Sequence, residues 1–293
     1  MVSYSVPRAQ SHSTRTPLEL ACGMEEHKLI GVSSCFGPKG VLRNLLVTAA
    51  RRRCFMPVPA KSVITAFTDI EQQLRSFIER VPFVPDHDHV WSPALASCLL
   101  EACSQLDSFW RAATPGRRRK DLTLPDHFER FGASVAARWV VVWGDEGREL
   151  KPFAVWYPAG TQRKAPFVAP PWWQAYNALK HDRWANIRRA TFENAANAVG
   201  GLFLAIVRAP ECADALVEAE WFRTRYATPY AIEKLSDGTE DPELGITMES
   251  ALLSYASGSC DSHFRGCVAQ YRACTHRFGR WLEQKYDTKF LSY

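Results

Sequence analysis

The residues best suited to chemistry lie in the segment PWWQAYNALKHDR, residues 171–183. Asn177 and His181 are four residues apart, so on a helix they project from the same face, with the amide within about 6 Å of the imidazole. Such a pair can hold a phosphate or a ribose hydroxyl. Arg188 returns to that face if the helix is unbroken, and its guanidinium would neutralise a phosphoryl group. The alternative is structural, with His181 a satisfied core histidine and Asn177 a helix-packing amide.

Two amphipathic helices come before this segment. Over 61–81 an apolar residue recurs every three or four positions, which predicts a helix with one apolar stripe that includes Leu74. Ser92-Pro93 provides an N-cap and a first-turn proline for a second helix, whose stripe includes Leu99 and which ends before Pro115. Because a loop of about ten residues joins them, we expect the two helices to pack antiparallel.

The hydrophobic period changes after the basic run 117–120. The β-branched and aromatic run 137–143, the turn cluster 144–147 and the run 150–156 predict a β-hairpin inserted at about 134–157. The stretch 172–206 favours helix again and is rich in small residues, which let a neighbouring helix approach closely.

The C-terminal part of the chain also favours helices. Pro210 starts a helix through about Tyr226, residues 235–245 form an acidic loop, and 261–286 form a last amphipathic helix. The predicted fold class is therefore mainly α: a helical bundle with an inserted β-hairpin and additional C-terminal helices. We expect a helical domain over 56–210, which contains the hairpin, and a C-terminal helical region over 211–293.

The positive charge of the chain is concentrated at its N-terminal end. The chain of 293 residues has 36 basic and 31 acidic residues. Residues 1–55 hold eight of the basic and three of the acidic ones, so the remainder holds 28 of each. The whole net charge of +5 therefore lies in residues 1–55. Residues 1–55 also show no helical or strand period. We therefore expect residues 1–55 to be a disordered extension. The excess of basic residues over acidic ones then says little about the folded part.

Composition excludes several classes of protein. The chain is 46% hydrophobic and 23% charged, as globular proteins are, and it has no apolar run long enough to cross a membrane. Nine cysteines, an odd number without a secretion signal, indicate reduced thiols and a cytoplasmic location. Neither a G-x-S-x-G nucleophile elbow nor a glycine-rich phosphate loop occurs, so we expect no nucleotide-dependent enzyme and no cofactor. The lack of a long apolar run predicts no membrane partner.

Possible metal ligands cluster at two places in the sequence. The loop Asp86-His87-Asp88-His89 alternates possible ligands, but a polar turn before a helix explains it equally well. In the last predicted helix, Cys260 and Cys274 are about 21 Å apart at 1.5 Å per residue, so its cysteines and histidines cannot share one ion. Cys267 and Cys274 fall on the apolar stripe, as small core residues do.

The sequence resembles the HEPN superfamily of small α-helical domains from bacterial toxins, defence systems and RNA-processing enzymes. The similar segments are WSPALASCLLEACSQLDSFWR (91–111) and WWQAYNALKHDRWANIRRATFENAANAVGGLFLAI (172–206), and the resemblance covers roughly 60–210. Active members carry Arg, a polar residue, three variable residues and His, and are metal-independent ribonucleases whose site usually spans a homodimer cleft. Asn177 and His181 match the polar residue and the His, whereas Tyr176 occupies the position of the Arg.

The resemblance implies two alternative functions. In the first, the chain is a HEPN-like protein of defence or toxin type that binds or cleaves RNA without metal. Asn177 and His181 are then catalytic, and the substrate contacts Tyr176 and the cations Lys180, Arg183 and Arg188. In the second, the chain is a non-catalytic helical module for binding or dimerisation, in which Tyr176 marks loss of the active Arg. Both imply a homo-oligomer, and RNA is the expected partner in the first.

Overall fold

The computed structural model describes residues 58–114, 121–144, 146–156, 167–223 and 247–256, together with 277, 278 and 281. All of these belong to one compact unit. The expected disordered extension over 1–55, the basic run 117–120, the acidic loop 235–245 and most of the last predicted helix lie outside the described residues. Within them the fold is mainly helical, with one small antiparallel sheet inserted.

The first two helices form where the apolar periodicity predicts them. Helix α1 spans Ala60–Ile78 and α2 spans Pro93–Ala112, and they pack directly against each other. Leu74 and Leu99 are fully buried at the predicted stripes. The hydroxyl of Ser92 accepts a hydrogen bond from the Leu95 N–H at 3.0 Å, so the predicted N-cap is present.

Helix α3, Leu124–Val135, was not predicted from the sequence. Its start is a capping box, in which the Thr123 N–H donates to the Asp126 carboxylate at 2.9 Å, and Pro125 occupies the first turn. The Thr-x-x-Asp spacing with that proline was the sequence signal.

The helix-favouring stretch 172–206 forms two helices, α4, Pro171–His181, and α5, Phe192–Val207. The Asn186 amide donates to the Ala178 and Asp182 carbonyls at 3.2 and 2.9 Å and so ends α4. The Thr191 hydroxyl then accepts from the Asn194 N–H at 3.2 Å and starts α5. The small residues of α5 are buried where it packs against α1, α2 and α4.

The five described strands form one antiparallel sheet of order β2-β1-β5-β4-β3. They are β1 Val140–Trp143, β2 Gly147–Leu150, β3 Phe222–Arg223, β4 Thr247–Glu249 and β5 Leu253–Ala256. The hairpin is present, but its second strand lies earlier than the predicted 150–156, since Trp143 already pairs with Gly147 across a tight turn. Residues 154–156 form a 3₁₀ turn instead.

The helix predicted from Pro210 to Tyr226 is also wrong in length. After a 3₁₀ turn, α6 spans only Ala213–Glu218. The Trp221 and Glu220 N–H groups bond back to the Leu216 and Val217 carbonyls at 3.0 and 3.1 Å, with Glu220 left-handed at φ 59°. This is a Schellman motif. The described residues of 211–293 therefore contribute strands β3 to β5 as well as helix.

The two faces of the sheet are covered by different elements. One face packs on α5, where the Gly200 and Gly201 backbone lies close to Val140 and Phe153. The other face forms a small aromatic cluster of Trp139, Val141, Trp143, Ala256, Phe278 and Trp281. Phe278 and Trp281 lie within the range of the last predicted helix, and both are buried.

Glu71 ties the sheet to α1. The residue is 2% exposed, and its carboxylate accepts hydrogen bonds from the Ser250 hydroxyl and from the Leu252 N–H at 2.8 Å, in the turn between β4 and β5. Burial raises the pKa of Glu71, and these hydrogen bonds oppose the rise. In the described part of the chain, no helix combines the length and apolarity needed to span a bilayer.

Candidate nucleic-acid interface

Asn177 and His181 lie on α4 with both side chains exposed to solvent. Their spacing of four residues places them on one side of the helix, with His181 in its last turn. Within the part of the chain that the structure describes, neither side chain makes a hydrogen bond or ion pair. His181 is therefore not a core histidine, and both groups are available to a ligand.

Tyr176 lies on the buried side of α4 rather than beside this pair. It is 6% exposed and packs edge-on against Trp173, with ring centroids 5.3 Å apart. The Lys180 ammonium lies 5.5 Å from the centre of the Tyr176 ring. Burial raises the pKa of Tyr176, against the lowering effect of Lys180. The structure thus places Tyr176 in the core and leaves Lys180 as the exposed cation next to it.

The turn after α4 carries the other two predicted cations, and neither extends the α4 face. The Arg183 guanidinium donates to the Ser97 hydroxyl at 2.8 Å and to the Pro93 carbonyl at 3.4 Å, which fixes the turn to the first residues of α2. Arg188 lies in a 3₁₀ turn, Ile187–Arg189, with its guanidinium 5.9 Å from the Trp91 ring centre. Arg188 would share the α4 face only on an unbroken helix, and α4 ends at His181.

Two exposed tryptophans lie in the same region, and the sequence reasoning did not select them. Trp184 is 79% exposed in the turn between α4 and α5, and Trp91 is 43% exposed beneath Arg188. Each exposed ring leaves a large apolar area in water and offers a flat face to a ligand. The signal in the sequence was the alternation of an aromatic residue with basic ones in KHDRWANIRR, residues 180–189.

We name this region the aromatic-basic surface. It consists of the exposed groups on α4, on the following turn and just before α2: Trp91, Asn177, Lys180, His181, Trp184, Arg188 and Arg189. The backbone beneath it is fixed by side chains, because Asp182 accepts from the Ala185 N–H at 3.0 Å and Asn194 donates to the Arg189 carbonyl at 3.0 Å. A rigid turn that carries exposed rings and cations suits a ligand with flat bases and phosphates.

A second polar cluster lies between α2 and α3, with its histidine buried and its two other residues partly exposed. The Nε2 of His127, a residue that is 1% exposed, lies 3.0 Å from an Asp107 oxygen, and Arg111 donates to the other Asp107 oxygen at 2.7 Å. Burial raises the pKa of Asp107, but the hydrogen bonds from His127 and Arg111 outweigh it and leave that pKa below its ordinary value. The imidazole is buried against the Trp110 ring, whereas the Asp107 side chain is 25% exposed, and we interpret the group as a clamp between the two helices.

The histidine-rich loop is used for structure. Arg148 forms a two-point ion pair with Asp88 at 2.5 and 2.7 Å, and the His87 Nδ1 lies 2.8 Å from the Pro82 carbonyl oxygen. Among the described residues there is no group of three or more side chains placed to hold a metal ion.

The described cysteines are poor nucleophiles. The thiols of Cys98, Cys103 and Cys212 are free and buried. Burial raises the pKa of Cys98 and of Cys212 to about 12. At neutral pH these sulfurs are protonated, so they cannot serve as thiolates.

Comparison with known proteins identifies no relative of the chain. No family model matches the chain, and neither a curated protein nor a solved structure is significantly similar to it.

Proposed function

We propose that the aromatic-basic surface binds single-stranded RNA without a metal ion and that the chain is a HEPN-like RNA-binding protein. The observation that carries the proposal is Trp184, a ring 79% exposed on a turn flanked by cations. Unpaired bases stack on such rings whatever their sequence, and cations near the ring bind the phosphates between the bases. The resemblance of residues 60–210 to HEPN proteins supports RNA as the ligand.

The charges of the surface agree with a phosphate backbone. Lys180, Arg188 and Arg189 are exposed, and the described residues provide none of them with an ion-pair partner. Asp182 is the only acidic residue of the turn between α4 and α5. Its carboxylate accepts a hydrogen bond from the Ala185 N–H in the same turn. Three free cations predict that the logarithm of the RNA binding constant falls with the logarithm of salt concentration with a slope of about −2.

Binding is better supported than cleavage. The family's Arg position is occupied by Tyr176, which lies in the core, and Arg188 is on a separate turn from His181. No described residue hydrogen-bonds to the His181 imidazole, so nothing orients it as a general acid or base. We therefore assign Asn177 and His181 to contacts with ribose or phosphate.

The test is fluorescence anisotropy with a fluorescein-labelled single-stranded RNA of mixed sequence. Trp184→Ala should weaken binding roughly 5- to 150-fold, the effect of losing one stacked base at about 1–3 kcal/mol. Arg188→Ala should also weaken binding, and it should make the salt dependence less steep by about 0.7. A double-stranded RNA should bind less tightly, because its bases are not free to stack.

Two matched variants control for surface change in general. Lys61→Ala removes an exposed cation near the start of α1. Lys61 lies about 24 Å along that helix from Phe77, and Phe77 is the residue that packs on Phe192 at the start of α5. Val217→Ala trims an exposed apolar side chain on α6. Neither should change the affinity by more than twofold. Equal RNA affinity of wild type and Trp184→Ala would refute the proposal.

Incubation with total RNA in EDTA separates binding from cleavage. We expect intact RNA with both wild type and His181→Ala. Metal-free cleavage that requires His181 would contradict our proposal and support the ribonuclease alternative. Restoration of the family pattern by Tyr176→Arg is a poor test in this chain, because it would bury a guanidinium among Trp173 and its neighbours.

A further inference from the structure

Trp184, in the turn between α4 and α5, offers both faces of its ring to a ligand. The residue is 79% exposed, and no described residue makes a ring contact with it. A neighbour packed on either face would remove a large part of this exposure. The backbone on each side is held. Arg183 donates to the Ser97 hydroxyl at 2.8 Å. The Ala185 N–H donates to the Asp182 carboxylate at 3.0 Å. A fixed turn thus presents a ring with room for a flat group on each side.

Trp91, just before α2, differs because a cation lies against its ring. The residue is 43% exposed, and the Arg188 guanidinium carbon lies 5.9 Å from the ring centre. The backbone of Trp91 forms an antiparallel bridge with Thr191, which fixes it to the end of the same turn. A base can stack on the exposed part of the ring. Arg188 then lies beside that base, where it can bind the adjacent phosphate.

The two rings lie close enough for one strand to contact both. Arg188 is four residues after Trp184, a separation of at most about 14 Å along the backbone. With the side chains of Trp91, Trp184 and Arg188 added, the two ring centres are within roughly 30 Å of each other. A strand of ten nucleotides is about 34 Å long at ~3.4 Å per stacked nucleotide, so it can reach from one ring to the other.

We propose that a single RNA strand uses both rings. Trp184 intercalates between two adjacent bases, and Trp91 stacks a further base whose phosphate binds Arg188. The ligand is therefore an unpaired segment of several nucleotides, and a mononucleotide fills only part of the site. This inference rests on the proposed function, since it specifies how the aromatic-basic surface binds RNA and which ligands it selects.

Short ligands test the intercalation by Trp184. Tryptophan fluorescence is titrated with AMP and with the dinucleotide ApA, and stacking should quench the emission. ApA should bind at least about fivefold more tightly, because only ApA has a base for each face of the ring. AMP carries the greater negative charge, so charge alone predicts the opposite order. Trp184→Ala should remove the advantage of ApA. Equal affinity for the two ligands, or an advantage that persists in Trp184→Ala, would overturn the intercalation.

A decanucleotide tests whether Trp91 binds the same strand. Trp91→Ala should weaken binding of ten-nucleotide oligoadenylate roughly 5- to 150-fold, the effect of losing one stacked base, and should change the ApA affinity by less than about twofold. Trp91→Phe keeps a ring at this position. It should bind the decanucleotide more tightly than Trp91→Ala, which separates stacking from an effect on folding. Val217→Ala, an exposed apolar change on α6, is the matched control and should leave both affinities unchanged.

Stoichiometry and the pattern of losses distinguish this inference from the proposed function. Isothermal titration calorimetry should give one decanucleotide per chain, whereas two would show that the rings bind separate strands and would refute the shared path. If Trp184→Ala weakens decanucleotide binding and Trp91→Ala does not, RNA binding stands and the two-ring path fails. If wild type binds no decanucleotide, the proposed function fails as well.

Discussion

Glu71 offers a sharp test of how the sheet is joined to the helices. Glu71→Ala removes a buried carboxylate that accepts hydrogen bonds from the Ser250 hydroxyl and the Leu252 N–H. Both donors are in the turn between β4 and β5, about 180 positions later in the sequence. The variant therefore disconnects α1 from the C-terminal strands without touching the apolar stripe of the helix.

The size of the effect follows from these contacts. Each hydrogen bond to a charged acceptor contributes about 1.5–3 kcal/mol, and the Leu252 N–H would be left buried without a partner. Release of the carboxylate from its buried site offsets part of that loss. We expect a net loss of about 3 kcal/mol in the free energy of unfolding, equivalent to roughly 6–12 °C in Tm for a domain of this size.

Urea unfolding of wild type, Glu71→Ala and Gln72→Ala provides the assay. Gln72 is the exposed neighbour on α1, and its removal should cost less than 0.5 kcal/mol, on the order of other surface substitutions. If Glu71→Ala is as stable as Gln72→Ala, the carboxylate does not join the two elements and the reasoning fails.

The pH dependence of stability gives a second readout for the same residue. Because the pKa of Glu71 is raised in the folded state, the native protein binds a proton more readily than the unfolded chain. The wild type should gain stability relative to Glu71→Gln as pH falls from 7 towards about 4.3, the ordinary glutamate value, below which the gain levels off. An advantage over Glu71→Gln that shrinks as pH falls would contradict the raised pKa.

Other positions make independent predictions for urea unfolding. Leu99→Ala should cost about 2–5 kcal/mol, since the side chain is fully buried between helices; tolerance of the change would contradict the helix phases. Gly147→Ala should cost about 1–3 kcal/mol, because an added Cβ would lie 2.6 Å from the Trp143 ring and 2.7 Å from the Trp281 ring. Glu220→Gly should increase stability by up to about 1 kcal/mol, because a non-glycine residue at φ 59° is strained; a loss would show that the Glu220 side chain matters more than its backbone.

The helices that sequence predicts best are those with a strong local signal. The apolar period gives α1, and the Ser92-Pro93 cap fixes the start of α2. Both signals depend only on neighbouring residues, so no knowledge of the rest of the fold is needed. The hairpin is predicted for the same reason, from its β-branched first strand and its glycine turn.

The errors occur where distant residues decide the structure. Strand β5 was not predicted because a short apolar run does not distinguish strand from helix, and its pairing partner β1 lies more than 100 positions earlier. The end of α6 was missed because Glu220, rather than glycine, occupies the left-handed position of its Schellman motif. Periodicity alone therefore extends a helix too far when its terminating residue is an unusual one.

The break between α4 and α5 changes the chemistry that the sequence implies. On a continuous helix, Arg188 would lie on the same face as His181. That arrangement would bind a phosphate beside a general acid or base. The caps at Asn186 and Thr191 instead form a turn that carries Arg188 to Trp91 and leaves Trp184 in solvent. The same basic residues thus form an extended surface with two exposed rings rather than one concentrated site. Stacking along such a surface fits a single strand of RNA, and this geometry is why we propose binding without cleavage.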